Sequence, residues 1–253
     1  MRTLAVIPAR LGATRLPRKP LRLLAGIPLV VRVWERVRDS GIAERCVVAT
    51  DSDEVATAAR SYGAEVAMTS PDHPSGTDRV AEVAGRPEFS GYDAIINVQG
   101  DEPFVAVDAL RGATEMVAQR GFPLGTAAAL AGLEVLMDPN VVKVVAADDG
   151  RAMYFSRATI PFLRDRADAS LLRDHIWQHV GVYAYSPEAL SQWVALPPHP
   201  FERIERLEQL RPLAAGLAMG VACIGDAGLR GIDTEDDLIR ANAEWTTFNP
   251  GQN

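Results

Sequence analysis

The feature that most constrains the fold is a rhythm. Short β-branched runs alternate with helical patterns: TLAVI (3–7), a helix over 28–40, CVVAT (46–50), a helix over 53–62 and EVAMT (65–69). That order reads βαβαβ. It continues through a helix over 77–84, the strand AIINVQ (94–99) and a helix over 108–120. Strands apolar on both sides and joined by helices belong to a parallel sheet covered on both faces. The expected class is therefore α/β, a Rossmann-like, mostly parallel sheet with helices on both faces.

Beyond residue 124 the rhythm changes to LGTAAAL, VVKVVAAD, AMYFSRA and HVGVYAY, with few helices between them. The Asp149-Gly150 pair between two of these runs is a hairpin signal. A strand-rich, partly antiparallel subregion is thus expected, followed by a helix over 201–216, the strand MGVACIG (219–225) and a helix from Thr234 to Trp245. With no repeat or low-complexity linker, residues 1–253 read as one domain with two halves, 1–123 and 124–253.

Composition narrows the function. At 47% hydrophobic and 23% charged residues the chain is of ordinary globular make-up. A net charge of −7 argues against general nucleic-acid or membrane-surface binding, which needs spread positive charge. Cys46 and Cys223 sit in apolar runs, without metal-ligand spacing, and read as small buried hydrophobes. The apolar run near the start is too short for a signal-peptide core or a membrane span, so a cytoplasmic location is expected.

Against that acidity, VIPARLGATRLPRKPL (6–21) carries Arg10, Arg15, Arg18 and Lys19, and no acidic residue precedes Glu35. Lysine occurs only at 19 and 143. A Gly/Pro loop at the carboxyl end of the first strand is where open α/β sheets bind ligands. Gly12 would let backbone N–H groups approach an anion, Arg10 and Arg15 can fork onto phosphate oxygens, and Lys19 adds a mobile charge. Together they suit a triphosphate. The loop is neither a Walker A nor a G-x-G-x-x-G motif, which disfavours a dinucleotide oxidoreductase.

The loop resembles the start of the cytidylyltransferases that activate the acidic eight-carbon sugar 3-deoxy-manno-octulosonate (Kdo), members of the nucleotide-diphospho-sugar transferase type. HPSGTDR (73–79), VQGDEP (98–103), MYFSRATIPF (153–162), HVGVYAY (179–185), RLEQLR (206–211) and GIDTEDDL (231–238) are similar to that family's later blocks, in the same order. The sequence departs from it at Arg18, Pro74 and Glu235, where the family usually has Gly, Gln and Pro.

From the residues alone, Asp101 after a strand is a Mg²⁺ ligand or a turn residue, and Asp233 is a ligand or part of a helix start in which Thr234 and Asp237 form a capping box. Ser75 or Thr77 can cap a helix. His179, Tyr183 and Tyr185 share a strand face that suits a core as well as a pocket. Glu208 and Gln209 fall on the flank of a helix whose buried stripe is Ile204, Leu207, Leu210 and Leu213. Arg157 and Arg164 are both candidates for a sugar carboxylate.

The resemblance selects among these. It implies Mg²⁺ on Asp101 and Asp233, with Arg10, Arg15, Lys19 and Asp101 as the catalytic set. It implies nucleotide contacts from Pro8, Ala9, Arg10, Leu11, Gly12, Thr14, Arg15, Lys19, Ser75, Gly76, Arg79 and Gln99. Sugar contacts would come from Gln99, Arg164, His179, Tyr183, Glu208 and Gln209, with residues 1–123 the nucleotide half and 124–253 the sugar and dimerisation half. The implied reaction is transfer of CMP from CTP to Kdo, for lipopolysaccharide biosynthesis, by a homodimer. The rivals are a cytidylyltransferase for another acidic sugar, such as sialic acid or 8-amino-Kdo, and a non-catalytic nucleotide-binding protein.

Overall fold

The structure, a computed structural model, describes residues 2–12, 15–245 and 247–248. It divides into two compact units, residues 1–107 with 228–253, and residues 108–227.

The first unit opens with β1 (Thr3–Ala9), continues through β2 (Leu23–Leu24), β3 (Ile27–Pro28), α1 (Leu29–Asp39), β4 (Arg45–Thr50), α2 (Asp53–Ser61), β5 (Glu65–Met68), α3 (Gly76–Ala84) and β6 (Ala94–Val98). Strand β1 pairs in parallel with β4 and with β6, and β4 pairs in parallel with β5. Every residue of β1 is buried, as expected of a parallel strand covered on both faces. Helix α2 starts where Ser52 Oγ accepts from the Val55 N–H at 3.4 Å, with Asp53 and Glu54 in its first turn against the helix dipole. The β2–β3 hairpin was not anticipated. Its central residues, Ala25 (φ 47°) and Gly26 (φ 78°), both take positive φ as a tight hairpin requires, but Ala-Gly carries none of the Asn-Gly or Asp-Gly signal.

The second unit holds nearly all of α4 (Val107–Ala118), then β7 (Leu124–Leu130), β8 (Lys143–Ala146), β9 (Ala152–Ser156), α5 (Ala169–Leu172), β10 (Trp177–Tyr185), α6 (Pro187–Ala195), α7 (Pro200–Glu205), α8 (Leu210–Ala214) and β11 (Met219–Ile224). β7 pairs in parallel with β11 and antiparallel with β10; β10 also pairs antiparallel with β8, and β8 with β9. The hairpin at Asp149-Gly150 forms as expected. Glycine lets α4 lie close to its strands: a Cβ on Gly125 would stand 2.1 Å from the Ala113 carbonyl oxygen.

Two expectations fail, the first in this unit and the second across both. The helix over 201–216 is two short helices, α7 and α8, and Glu208 and Gln209 lie in the turn between them. Arg206 turns left-handed there (φ 56°), and in a continuous helix the Pro212 ring would clash with the Glu208 carbonyl. Ile204, placed in the buried stripe, is exposed as a result. The cysteines are also less buried than expected: Cys46 is half-buried, and Cys223, near the end of β11, is exposed.

The first unit closes with α9 (Glu235–Glu244). Thr234 Oγ1 accepts from the Asp237 N–H at 3.2 Å while Asp237 Oδ2 accepts from the Thr234 N–H at 2.8 Å, a complete capping box. Leu16 of the opening loop packs with Leu24, Leu29, Phe104, Ile232, Leu238 and Ala241 in one apolar cluster, which fixes that loop against α9.

Candidate active site

The site is a cavity of about 390 Å³ in the first unit. The end of β1 and the loop after it contribute Pro8, Ala9, Arg10, Gly12 and Arg15, joined by Lys19. The segment opening α3 contributes Ser75, Gly76 and Arg79, and the turn after β6 contributes Gln99, Gly100 and Asp101. Asp233 comes from the residue before the α9 cap.

Each turn is shaped by a specific constraint. A Cβ on Gly100 would lie 2.8 Å from the Pro8 carbonyl oxygen, so glycine is needed for the β6 turn to pass the end of β1 rather than to approach a ligand. The Asp101 carbonyl accepts from the Ile232 N–H at 2.9 Å, which brings the two aspartate-bearing segments together. Because Thr234 and Asp237 cap α9, the Asp233 side chain is free of that duty.

Both aspartates converge on one cation. Lys19 Nζ donates to Asp101 Oδ2, and to Asp233 Oδ1 at 2.8 Å, while Arg15 reaches the other Asp233 oxygen at 3.1 Å. Burial alone would pull the Lys19 pKa down, but the two carboxylates outweigh it and the net direction is up. Glu102 is pushed up to about 8, first by burial and then by the charges of Asp101 and Asp233. Among the described residues no group of three or more His, Cys, Asp or Glu side chains forms a metal cluster. Two carboxylates gathered on one ammonium nevertheless match Mg²⁺, which commonly takes one or two protein carboxylates and completes its shell with waters and phosphate oxygens.

At the α3 side, Ser75 caps the helix, its Oγ accepting from the Asp78 N–H at 3.3 Å. Arg79 is buried, donating to Thr69 Oγ1 and lying 3.5 Å from Asp51. Gln99 donates to Asn97 Oδ1 at 3.2 Å. His73, Leu16 and Pro20 also line the cavity and were absent from the sequence-based site; His73 stands inside the quoted HPSGTDR block, so its signal was present. Thr14 lies outside the described residues, and Leu11, half-buried, is not among the lining.

Arg18 does not face the cavity. It takes the left-handed conformation (φ 57°, ψ 32°) and donates to Glu54 on α2, which accounts for the glycine that the resemblance places there. Glu235 forms a two-pronged pair with Arg22, at 2.8 and 2.5 Å, from the first position of α9, where proline is equally at home.

The sugar candidates, Gln99 apart, lie in the second unit. His179 Nε2 is 2.9 Å from Thr126 Oγ1, and its ring lies 5.0 Å from Phe155 and 5.5 Å from Tyr183. Burial pushes the His179 pKa down to about 4. Burial, then the neighbouring charges of Tyr185 and Glu208, raises that of Tyr183. His179, Tyr183 and Glu208 are thus neighbours. Tyr185 is core, edge-on to Trp193 and stacked on Tyr183. Gln209 is buried in the turn before α8. Arg157 is committed to structure, donating to the carbonyls of Glu205 (2.8 Å) and Pro139 (2.9 Å), whereas Arg164 is exposed and makes no hydrogen bond or ion pair among the described residues.

Residues 4–219 match the family model described as Cytidylyltransferase, so the chain is a nucleotidyl-transferring enzyme by class. It is 63% identical over 97% of its length, and 95% of the relative's, to a 3-deoxy-manno-octulosonate cytidylyltransferase of Gemmatimonas aurantiaca. It superposes on a solved CMP:2-keto-3-deoxy-manno-octonic acid synthetase complexed with CTP with a TM-score of 0.88, at 33% identity, covering 98% of this chain and 99% of the other. A cytidylyltransferase of Leptospira borgpetersenii shares the fold at 17% identity, with a TM-score of 0.62 over 99% of this chain and 90% of the other. The chain belongs to the 3-deoxy-manno-octulosonate cytidylyltransferase family.

Proposed function

We propose that the protein transfers CMP from CTP to the anomeric hydroxyl of 3-deoxy-D-manno-octulosonate and releases pyrophosphate. The observation that carries this reading is the convergence of Asp101 and Asp233 on Lys19 in a cavity that Arg10 and Arg15 also line. The sugar hydroxyl attacks the α-phosphorus in line with the departing pyrophosphate. Arg10, Arg15 and Lys19 gather the charge that accumulates on the leaving group, and fixed cations of this kind account for much of the catalysis of phosphoryl transfer. Asp101 and Asp233 would hold Mg²⁺, which when bound neutralises the phosphates. Pro8, Ala9, Leu11, Gly12, Thr14, Ser75, Gly76, Arg79 and Gln99 bind the nucleotide.

On the sugar, Arg164 takes the carboxylate, its guanidinium being uncommitted. His179, Tyr183, Glu208, Gln209 and Gln99 bond the hydroxyls. Residues 1–123, joined by Asp233, serve the nucleotide, and 124–253, joined by Gln99, the sugar and the dimer. The product feeds lipopolysaccharide assembly from the cytoplasm; among the described residues no helix is long and apolar enough to cross a membrane.

The protein works as a homodimer joined through the second region, where Met137, Phe162, Ile204, Leu171 and Met153 each leave more than half of their surface to water. Sedimentation velocity at micromolar concentration should give a species of twice the chain mass.

The deciding experiment is pyrophosphate release with CTP and Mg²⁺ against a panel of Kdo, 8-amino-Kdo, sialic acid and neutral hexoses. Kdo should give the highest kcat/KM and the hexoses none. Preference for sialic acid or the amino sugar replaces the acceptor in this reading, and CTP binding without turnover on any sugar replaces catalysis with nucleotide binding.

A further inference from the structure

The cavity wall carries one polar group that the proposed reaction does not use. His73 lines the cavity from the loop before α3, and its Nε2 lies 2.5 Å from Glu82 Oε2. Glu82 is itself held: its Oε2 accepts from the Ser70 N–H at 2.9 Å and its Oε1 from Arg86 at 2.5 Å. Burial alone would raise the Glu82 pKa, but the Ser70 N–H, Arg86 and His73 together bring it down to about 2, so the carboxylate is ionised at any working pH.

An ionised carboxylate only accepts hydrogen bonds, so the proton must sit on His73 Nε2. In the neutral ring that leaves Nδ1 as a bare acceptor. Nδ1 has no hydrogen-bond partner among the described residues, although its ring borders the cavity.

The lining separates by chemistry. Arg10, Arg15, Lys19 and the two aspartates suit a triphosphate and its metal, which leaves the α3 segment, His73 with Ser75, Gly76 and Arg79, for the nucleoside. Cytosine and uracil differ at ring position 4, where cytosine presents an amino donor and uracil a carbonyl acceptor. A fixed acceptor bonds the first and meets the lone pairs of the second.

We infer that His73 Nδ1 accepts from the cytosine 4-amino group and that Glu82, by fixing the tautomer, makes this site select CTP over UTP. The inference rests on the CTP reading above. His73 is the reading residue, and Glu82 is a positioning residue that acts through it.

The test is calorimetric binding of CTP and of UTP, without sugar, to the wild type, His73→Leu, His73→Asn and Glu82→Gln. In His73→Leu, CTP affinity should fall about tenfold while UTP affinity stays within about twofold, since one hydrogen bond is lost on one side only. His73→Asn, whose amide can turn to donate or accept, should bring the two affinities together. Glu82→Gln cannot serve Ser70, His73 and Arg86 with one amide oxygen and carries no charge, so the ring proton is held on Nε2 less firmly and the CTP-to-UTP ratio should fall, by no more than about tenfold. Because a ratio is read on one preparation, a partly misfolded variant does not mimic the effect. An unchanged ratio in both His73 variants, or an equal loss for the two nucleotides, overturns the inference. A wild type that neither binds nor turns over CTP instead overturns the CTP reading on which it stands.

Discussion

The protein's two lysines, one in each unit, show what each region is built to do. Lys19 stands at the cavity between Asp101 and Asp233, and opposite charges raise its pKa. Lys143 is fully buried on β8, where its ammonium donates to the carbonyls of Asp138 (3.0 Å), Val141 (2.8 Å) and Arg157 (2.6 Å), and desolvation lowers its pKa. Carboxylates at a cavity wall can exchange one cation for another, so on the proposed reading Lys19 would give way to Mg²⁺ and turn to phosphate. Buried backbone dipoles have no replacement partner, so Lys143 closes a loop permanently. Of the two lysines, the first unit's is exchangeable and the second unit's is fixed.

The sharpest break of that comparison is Lys19→Met. Loss of one preorganised charge at a phosphoryl site costs on the order of 3 to 4 kcal/mol, so turnover should fall about 10²- to 10³-fold with little change in the unfolding midpoint. Steady-state kinetics beside a urea titration reads both, and normal turnover would place Lys19 with the structural cations. Lys143→Met should do the reverse, costing about 3 kcal/mol of stability by leaving three buried carbonyls without a donor while the folded fraction retains its KM for CTP. A stable Lys143→Met protein would show that the loop closes without it.

Proton linkage separates the units next. His179, with its pKa at about 4 against an ordinary 6.5, leaves the unfolded chain holding a proton that the folded chain lacks between those values. Stability attributable to His179 therefore falls as pH drops through that window, by at most about 1.4 kcal/mol per pH unit. Glu82 in the first unit is shifted the same way but over a lower window: its folded pKa of about 2 against an ordinary 4.5 gives a contribution that is whole above the unfolded value and is lost progressively as pH falls from there toward 2. Urea midpoints from pH 7 to 4 should slope downward in the wild type and flatten in His179→Gln. An unaltered slope would assign the acid sensitivity elsewhere.

The smallest effect tests a departure from the family pattern. Arg18→Gly removes a left-handed arginine that costs about 1 to 2 kcal/mol in backbone strain and loses an exposed pair with Glu54 worth about 0 to 1 kcal/mol. A net gain of about 0.5 kcal/mol is expected from thermal unfolding. A clear loss would mean that Glu54 holds the loop in place.

How much was legible follows from the range of each signal. The βαβ rhythm, the parallel strands of the first unit and the Asp149-Gly150 hairpin were readable because periodicity and turn chemistry act over a few neighbours. The capping box at Thr234 and Asp237 was readable for the same reason, and forming it released Asp233. The helix over 201–216 was misread because one left-handed residue, Arg206, broke a pattern that composition could not distinguish from a continuous helix. His73 sat in a motif already quoted, but its value came from Glu82, nine residues on, which only the fold of α3 brings to its ring.

By itself the sequence determined the α/β class, the family and the chemical character of the opening loop, since these depend on local pattern and residue type. The tertiary structure alone decided which charges meet. Asp101 and Asp233 are 132 residues apart, yet one backbone bond from Ile232 to Asp101 and an apolar cluster joining Leu16 to α9 bring them onto a single ammonium. It also decided that Arg157 closes a loop while Arg164 has no polar partner among the described residues. Electrostatic partnership falls off over a few ångströms of space, and sequence separation says nothing about that distance until the chain has packed.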